Sequence, residues 1–189
     1  MNADPINRVA LPWNGQGIGS APGQRSRARL EEVIAQFKVD THGRYAVRDT
    51  SGDGIADTFC NIFLWDWSIA MGAELPHWVD DKGKPTQPNA AGSHELSANG
   101  LIGWLKAHGS RYGWISSSEG AARLNALTGS PSVVVWQNPS GRSGHVAVVR
   151  PAPSEGEARI AQAGSHNFSD GLLSRGFGKV APLLWWIHV

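Results

Sequence analysis

The single cysteine of the chain, Cys60, is the first candidate for chemistry. It opens the run CNIFLWDWSIAM, which holds no helix breaker and predicts a helix over residues 60–71, stopped by Gly72 and capped by Thr58 or Asp57. A thiol in the first turn of a helix faces unpaired backbone N–H groups and the positive end of the helix dipole, and both favour the thiolate. The sequence therefore predicts an activated nucleophile at Cys60.

A nucleophilic cysteine needs a base, and His145 is the best placed of the seven histidines. The segment GHVAVV puts its imidazole at the start of an apolar strand, directly after a glycine turn. A third polar group must orient that imidazole, and the next predicted strand, ARIAQAG, supplies Gln162. His166 and Asn167, in the turn that follows this strand, are the alternatives.

Each of these residues also has an ordinary structural interpretation. A lone cysteine in an apolar helix is more often buried filler, and a histidine that begins a strand is more often a structural hydrogen-bond donor. Their combination favours catalysis, because a cysteine at a helix start, a histidine at a strand start and a polar residue one strand later follow one another in that order along the chain.

A second motif, DTSGDGIAD, precedes the cysteine. Its spacing is similar to that of calcium loops of the DxDxDGxxD kind, with Gly54 at the sharp turn. The twelfth position of such a loop holds Cys60 where an EF-hand has a bidentate Glu. The alternative is a solvated Asp/Gly turn that sets the direction of the helix that begins at Cys60. The candidate calcium ligands are Asp49, Ser51, Asp53 and Asp57.

A long polar segment, PHWVDDKGKPTQPNAAGSH, is predicted to be a binding loop. Trp78 at its start is a candidate for stacking on a sugar or peptide, with a hydrophobic plug as the alternative. A zinc site is disfavoured, because the sequence has no HExxH motif and no close pair of histidines on a common face. The remaining histidines considered for it are scattered at His42, His77, His94 and His108.

Periodicity and turn residues predict an α+β fold in which helices precede a run of strands. Residues 1–24 have no periodicity and are predicted to be an irregular lead-in to one domain, residues 25–189. The turn NPSGRSG at 138–144 favours an antiparallel hairpin. Helices are expected at 25–38, 60–71, 101–108 and 119–127, and strands at 132–137, 145–150, 157–163 and 183–189.

Size and charge narrow the classes of partner. The 189 residues match one globular domain, and 17 Lys and Arg against 16 Asp and Glu give no basic patch for nucleic acid or an anionic membrane. The sequence has no apolar run long enough to insert in a bilayer, and its opening has no signal-peptide pattern. We therefore expect synthesis in the cytoplasm without a signal peptide.

Three segments together resemble the papain-like cell-wall hydrolases of the NlpC/P60 and CHAP kind: TFCNIFLWDWSIAMGAELP, GSPSVVVWQNPSGRSGHVAVV and ARIAQAG. The resemblance covers about residues 45–167 and implies a papain-like fold, N-terminal helices packed on a mainly antiparallel sheet. It also implies Cys60 as nucleophile, His145 as base and Tyr45, in GRYAVRD, beside the oxyanion. The sequence departs from the family in its neutral third residue, Gln162, and in Asn61 after the cysteine.

This resemblance implies hydrolysis of an amide bond in bacterial peptidoglycan through a thioester, with no cofactor required for the chemistry. A phage lysis enzyme or an exported antibacterial effector would use it on the cell wall, and an effector would have an immunity protein or inhibitor as partner. Two alternatives stay open: a deamidase or protease toxin on the same scaffold, and a non-catalytic glycan-binding module ordered by calcium.

Overall fold

Five α-helices lie along the described residues, which in this computed structural model are 11–50, 52–141, 144–153 and 155–189. Three of them begin after a serine whose hydroxyl accepts a backbone N–H of the first turn: Ser26, Ser97 and Ser118. The helices are α1 (Arg27–Gln36), α2 (Cys60–Ala70), α3 (Ala98–His108), α4 (Glu119–Leu127) and α5 (Leu173–Phe177). None of the helices in these ranges is long and apolar enough to cross a membrane.

Helix α2 begins at Cys60, as predicted, but its cap is different. Phe59 occupies the N-cap position and makes no side-chain hydrogen bond to the helix, so the predicted caps Thr58 and Asp57 are wrong. Asp57 instead pairs with Arg48 through backbone hydrogen bonds in both directions. This pairing closes the preceding loop, and no side chain at the N-cap position accepts an N–H of the first turn of α2.

The main sheet has six strands, and every neighbouring pair is antiparallel. Their order in the sheet is β3-β8-β4-β5-β6-β7, so the last strand of the chain lies between the third and the fourth. The predicted α+β class with a mainly antiparallel sheet is confirmed. The strands are β3 (Trp114–Ser117), β4 (Ser132–Trp136), β5 (His145–Val149), β6 (Arg159–Gln162), β7 (Phe168–Leu172) and β8 (Leu184–His188).

The core is centred on β4 and β5, whose valines are fully buried. Their continuous apolar runs, residues 133–135 and 146–149, suit strands that are covered on both faces. Helix α2 packs against β5, and helix α4 packs against β4 and β8. The nucleophile candidate at the start of α2 is thereby held against the strand that begins with His145.

The segment predicted as a binding loop contains two short strands. β1 (Trp78–Val79) pairs with β2 (His94–Glu95), and the N–H of Leu96 donates to the carbonyl of His77 over 2.8 Å. We call residues 77–96 the hairpin segment. Its two ends are held together, although the chain between the strands is irregular.

The described part of the predicted lead-in, residues 11–24, contains no helix or strand. It is attached through polar side chains of the domain. The Oε1 atom of Gln36 accepts the N–H groups of Gln16 and Ile18 over 3.1 and 3.0 Å, and Asp66 accepts the N–H of Trp13 over 2.7 Å. Residues 1–10 lie outside the described residues.

Candidate active site

Cys60 is the first residue of α2 and is only 2% exposed. The backbone N–H groups of Val146, Asn61 and Cys60 itself are directed at its sulfur. Val146 follows His145 on β5, so the thiol lies beside the start of that strand. The structure therefore brings together the two parts of the chain that are predicted to carry the nucleophile and the base.

Burial sets the protonation state of this thiol. It raises the pKa of Cys60 to about 11, because the thiolate loses its hydration, and the three backbone N–H groups lower the pKa by less. The prediction of a thiolate activated by its helix position is therefore wrong for the free protein. The candidate nucleophile is a thiol at rest and would need a base at the moment of attack.

His145 is positioned by the turn between β4 and β5. It opens β5 opposite Trp136, and the backbone N–H and C=O of Asn138, in the turn, bind the side chain of Asn99 over 3.0 and 3.2 Å. Gly144 fits against Asn99 and the Trp136 carbonyl so tightly that a Cβ atom there would collide with both. The start of α3 thus fixes the turn from which the histidine emerges.

Gln162 is the predicted third residue that lies against the imidazole of His145. The Nε2 atom of His145 lies 2.7 Å from Oε1 of Gln162, and Nε2 of Gln162 donates to the carbonyl of His166 over 3.0 Å. That carbonyl fixes which end of the amide faces the histidine. Since an amide oxygen only accepts, the neutral imidazole carries its proton on Nε2 and keeps the lone pair of Nδ1 for a proton from elsewhere.

The ring of His145 is enclosed on its other sides. Phe177 of α5 packs against it with ring centroids 4.8 Å apart. Gly164 and Gly176 leave the space that the amide of Gln162 occupies. Burial lowers the pKa of His145, and the hydrogen bond to Gln162 opposes this shift. The imidazole is therefore neutral near pH 7, as a general base must be.

The two alternative third residues serve other contacts. The side chain of His166 is exposed and lies 3.3 Å from the hydroxyl of Ser165, so this residue acts on Gln162 through its carbonyl alone. Asn167 accepts the N–H of Gly164 over 3.0 Å and donates to the carbonyl of Tyr45. Neither side chain is the partner of His145.

Tyr45 does not fit the role of oxyanion donor. Its side chain is fully buried, and its hydroxyl donates to Oδ2 of Asp66 over 2.7 Å. A phenol has one proton to donate, and here the carboxylate of Asp66 holds it. Arg44 binds the same carboxylate through two nitrogens at 2.7 and 2.9 Å, so Tyr45 belongs to a buried polar cluster with Asp66 and Arg44.

The carboxylates of the predicted calcium loop accept hydrogen bonds from groups of the same loop. Asp49 accepts the N–H groups of Gly52 and Gly54 over 2.6 and 2.8 Å, and Asp57 accepts from the N–H and hydroxyl of Thr50. Asp53 accepts the N–H of Ile55 over 2.8 Å, and Ser51 lies outside the described residues. Over the described ranges, no three His, Cys, Asp or Glu side chains form a group suited to a metal ion.

Trp78 is a buried residue and not an exposed stacking surface. Only 8% of it is exposed, and its ring packs edge-on against His77 with centroids 6.0 Å apart. The candidate substrate contact is therefore wrong, since a sugar or peptide cannot stack on a covered indole.

Several residues that complete this site carry no signal in the sequence. Asn99 and Phe177 are far from Cys60 and His145 along the chain. The packing of α3 brings Asn99 to the turn before His145, and the packing of α5 brings Phe177 to its ring. The assembled chemistry is a thiol, a neutral imidazole and an amide that orients it, which suits acyl transfer. No model of a known protein family and no curated protein matches this chain.

Proposed function

We propose that this protein is a papain-like peptidoglycan hydrolase, which cuts an amide bond of the stem peptide or of a cross-link. The hydrogen bond between His145 Nε2 and Gln162 Oε1, 2.7 Å long, carries the proposal. It leaves Nδ1 as the basic nitrogen, on a strand whose second residue points its N–H at the sulfur of Cys60. The substrate class rests on the sequence resemblance to NlpC/P60 and CHAP hydrolases.

The reaction starts from a neutral pair. The sulfur of Cys60 attacks the carbonyl carbon of the amide while Nδ1 of His145 takes the thiol proton. The developing oxyanion accepts a hydrogen bond from the backbone N–H of Cys60 at the start of α2, where the N-cap residue Phe59 supplies no side-chain hydrogen bond. The C–N bond then breaks, and the imidazolium returns its proton to the leaving amine. Water attacks the resulting thioester, with His145 again as base, and releases the acid.

The proposal places the protein's target in the cell wall, which it would reach after host lysis or through a specialised export route. No step of this chemistry uses calcium. A calcium ion at the loop 49–57 would rigidify the approach to the nucleophile, because the loop ends three residues before Cys60, and activity would then be sensitive to chelators.

Incubation of purified sacculi with the intact protein and with Cys60→Ala, followed by mass spectrometry of the released fragments, tests this proposal. We expect fragments from the intact protein alone, with activity reduced on the order of 10³-fold or more in the variant. The new termini identify the bond. Gln137→Leu, which changes an exposed glutamine directly after β4, is the matched control and should behave as the intact protein.

Identical fragments from the intact protein and Cys60→Ala would rule out the cysteine mechanism.

Parallel samples with EDTA, and with EDTA followed by calcium, test the loop: activity lost and then restored by calcium supports calcium binding. A different outcome is that neither protein releases fragments while a protein substrate transfers an acyl group to the thiol of Cys60. In that case the toxin alternative replaces the peptidoglycan proposal. If neither occurs, binding to glycan is the remaining function to measure.

A further inference from the structure

The residue after the nucleophile makes contacts that the reaction above does not use. Asn61 donates from Nδ2 to the carbonyl of Leu96 over 3.0 Å, and the same nitrogen lies 3.3 Å from Nδ1 of His77. Its Oδ1 accepts the N–H of Ile62 over 3.1 Å. Both ends of the hairpin segment, at His77 and at Leu96, therefore bind one side chain in the first turn of α2.

The chemistry of these contacts fixes the state of His77. Since the carbonyl of Leu96 requires a donor, the nitrogen of the Asn61 amide must face the hairpin segment, and Nδ1 of His77 must accept. The proton of the neutral imidazole then lies on Nε2, which is 2.9 Å from Oε1 of Glu95. The N–H points away from the ideal hydrogen-bond direction, so the carboxylate acts mainly through its charge. The side chain of His77 is fully buried, and that of Glu95 is 38% exposed.

The hairpin segment also forms one wall of a groove of ≈ 220 Å³. Val79, His94 and Leu96 line this wall, and Gly100, Gly103 and Trp104 of α3 line the other. Leu96 belongs both to the groove and to the contacts of Asn61. The other wall is connected to His145, because Asn99, in the first turn of α3, binds the turn before that histidine.

We propose that this groove binds the peptide portion of the substrate, and that Asn61, His77 and Glu95 are positioning residues that fix its wall relative to Cys60. This inference rests on the proposed function, whose substrate it places. Gly100 and Gly103 keep side chains out of the α3 wall of the groove: a Cβ atom at Gly100 would lie 3.3 Å from Leu96, and one at Gly103 would meet no atom within 4 Å. The hydrogen bond from the Asn61 amide to the Leu96 carbonyl links the opposite wall to the start of α2. Loss of this network is expected to weaken substrate binding more than the chemical step.

Steady-state kinetics on soluble muropeptides, prepared by muramidase digestion of sacculi, test the inference. In Asn61→Asp, the carboxylate keeps the size and the acceptor for Ile62 but cannot donate to Leu96 or His77. We expect KM to rise on the order of tenfold while kcat stays within about twofold. His77→Phe should have the same effect, and His77→Gln, which keeps an acceptor for Asn61, should recover most of the loss.

Two further variants separate positioning from general destabilisation. Gln87→Ala changes an exposed residue of the same hairpin segment and should leave KM unchanged. Glu95→Gln removes the charge beside His77 at a partly exposed site, so it should fold and show a smaller rise in KM. A fall in kcat at constant KM in Asn61→Asp, or an equal rise in KM in Gln87→Ala, would overturn the inference.

Hydrogen exchange of the Leu96 amide gives a readout that needs no activity. This N–H donates to the carbonyl of His77. If Asn61→Asp releases the hairpin segment, the Leu96 amide hydrogen should exchange faster in the variant than in the intact protein. Unchanged exchange would overturn the network. If the intact protein cleaves no muropeptide, the proposed function fails, and the exchange experiment alone decides whether Asn61 holds the hairpin segment.

Discussion

The protonation states of Cys60 and His145 distinguish two forms of cysteine catalysis. A thiolate and imidazolium that exist before substrate arrives need a lowered cysteine pKa, whereas here burial raises the pKa of Cys60 to about 11 and lowers that of His145. The resting pair is therefore neutral. In the proposed mechanism the imidazole takes the proton during attack, so the orientation of its ring matters more than the acidity of the thiol.

This assignment predicts the shape of the pH profile. In the proposed mechanism His145 acts only when neutral, and because its pKa is lowered, the acid limb of kcat/KM should have its midpoint below the ordinary histidine value of about 6.5. The plateau should extend to at least about pH 9, since the thiol remains protonated there. An alkaline limb near about pH 8.5, from loss of an imidazolium, would contradict the neutral pair.

Substitutions at Gln162 give a second prediction, which concerns the pKa of the His145 imidazole. In Gln162→Glu, a carboxylate at the 2.7 Å position would stabilise the imidazolium and raise the pKa of His145, so the acid limb should move to higher pH. In Gln162→Leu the ring loses its acceptor, and kcat should fall on the order of 100-fold. Gln137→Glu adds the same charge at an exposed site, and a similar shift there would show that the effect is not local.

At the scale of elements, the short helix α5 packs against strand β6, which carries Gln162. A Cβ atom at Gly176 would overlap Oε1 of Gln162 and lie 2.7 Å from Cδ1 of Ile160. Gly176→Ala should therefore push the amide off His145 and lower kcat on the order of tenfold. The assay is the rate of fragment release at saturating substrate.

Gly120→Ala is the matched control for this substitution. Gly120 lies inside α4, and a methyl group added to it would meet no atom within 4 Å. Alanine should therefore raise the free energy of unfolding by about 0.5 to 1 kcal/mol and leave activity unchanged. If both alanine variants lose activity equally, the loss at Gly176 does not come from its contact with Gln162.

Elements with strong local patterns were predictable from the sequence, and elements held by distant partners were not. Helices α1 and α4 have apolar periodicity and serine caps, and β4 and β5 are valine-rich. Strand β3 and strand β7, with its sequence FSDGL, lack such a pattern and form at the two edges of the sheet, where one neighbouring strand each stabilises them.

The residues of the candidate site also fall into two groups, those that the sequence predicted and those that it did not. Cys60, His145 and Gln162 were found because a helix start and two adjacent strands are visible in the sequence. The high pKa of the thiol and the engagement of Tyr45 by Asp66 depend on burial, which the chain order does not reveal. Asn61 stood out only as a departure from the family pattern, since its partners lie 16 and 35 residues away.

At the scale of the whole molecule, Asp66 connects three parts of the chain. Its fully buried carboxylate accepts the N–H of Trp13, two nitrogens of Arg44 and the hydroxyl of Tyr45. Burial raises the pKa of Asp66, and the hydrogen bonds from Arg44 oppose this. The carboxylate thereby joins the lead-in and the turn at Tyr45 to helix α2.

Asp66→Asn should lower the free energy of unfolding by about 3 kcal/mol, because the amide leaves the guanidinium of Arg44 without its counter-charge in a buried site. Urea unfolding near neutral pH measures this. Glu31→Gln removes an exposed ion pair with Arg27 and should change stability by less than about 1 kcal/mol. Equal effects of the two substitutions would show that the Asp66 cluster does not stabilise the fold.

The place of β8 in the sheet has a consequence for synthesis on the ribosome. Residues 184–188 supply the strand between β3 and β4, so β3 has no partner in the sheet until that part of the chain has left the exit tunnel. The hairpin of β4 and β5 can form earlier, from contacts that are local in the chain. The nascent protein therefore carries an exposed edge of β4 until residues 184–188 have left the exit tunnel, and chaperones have that interval in which to bind it.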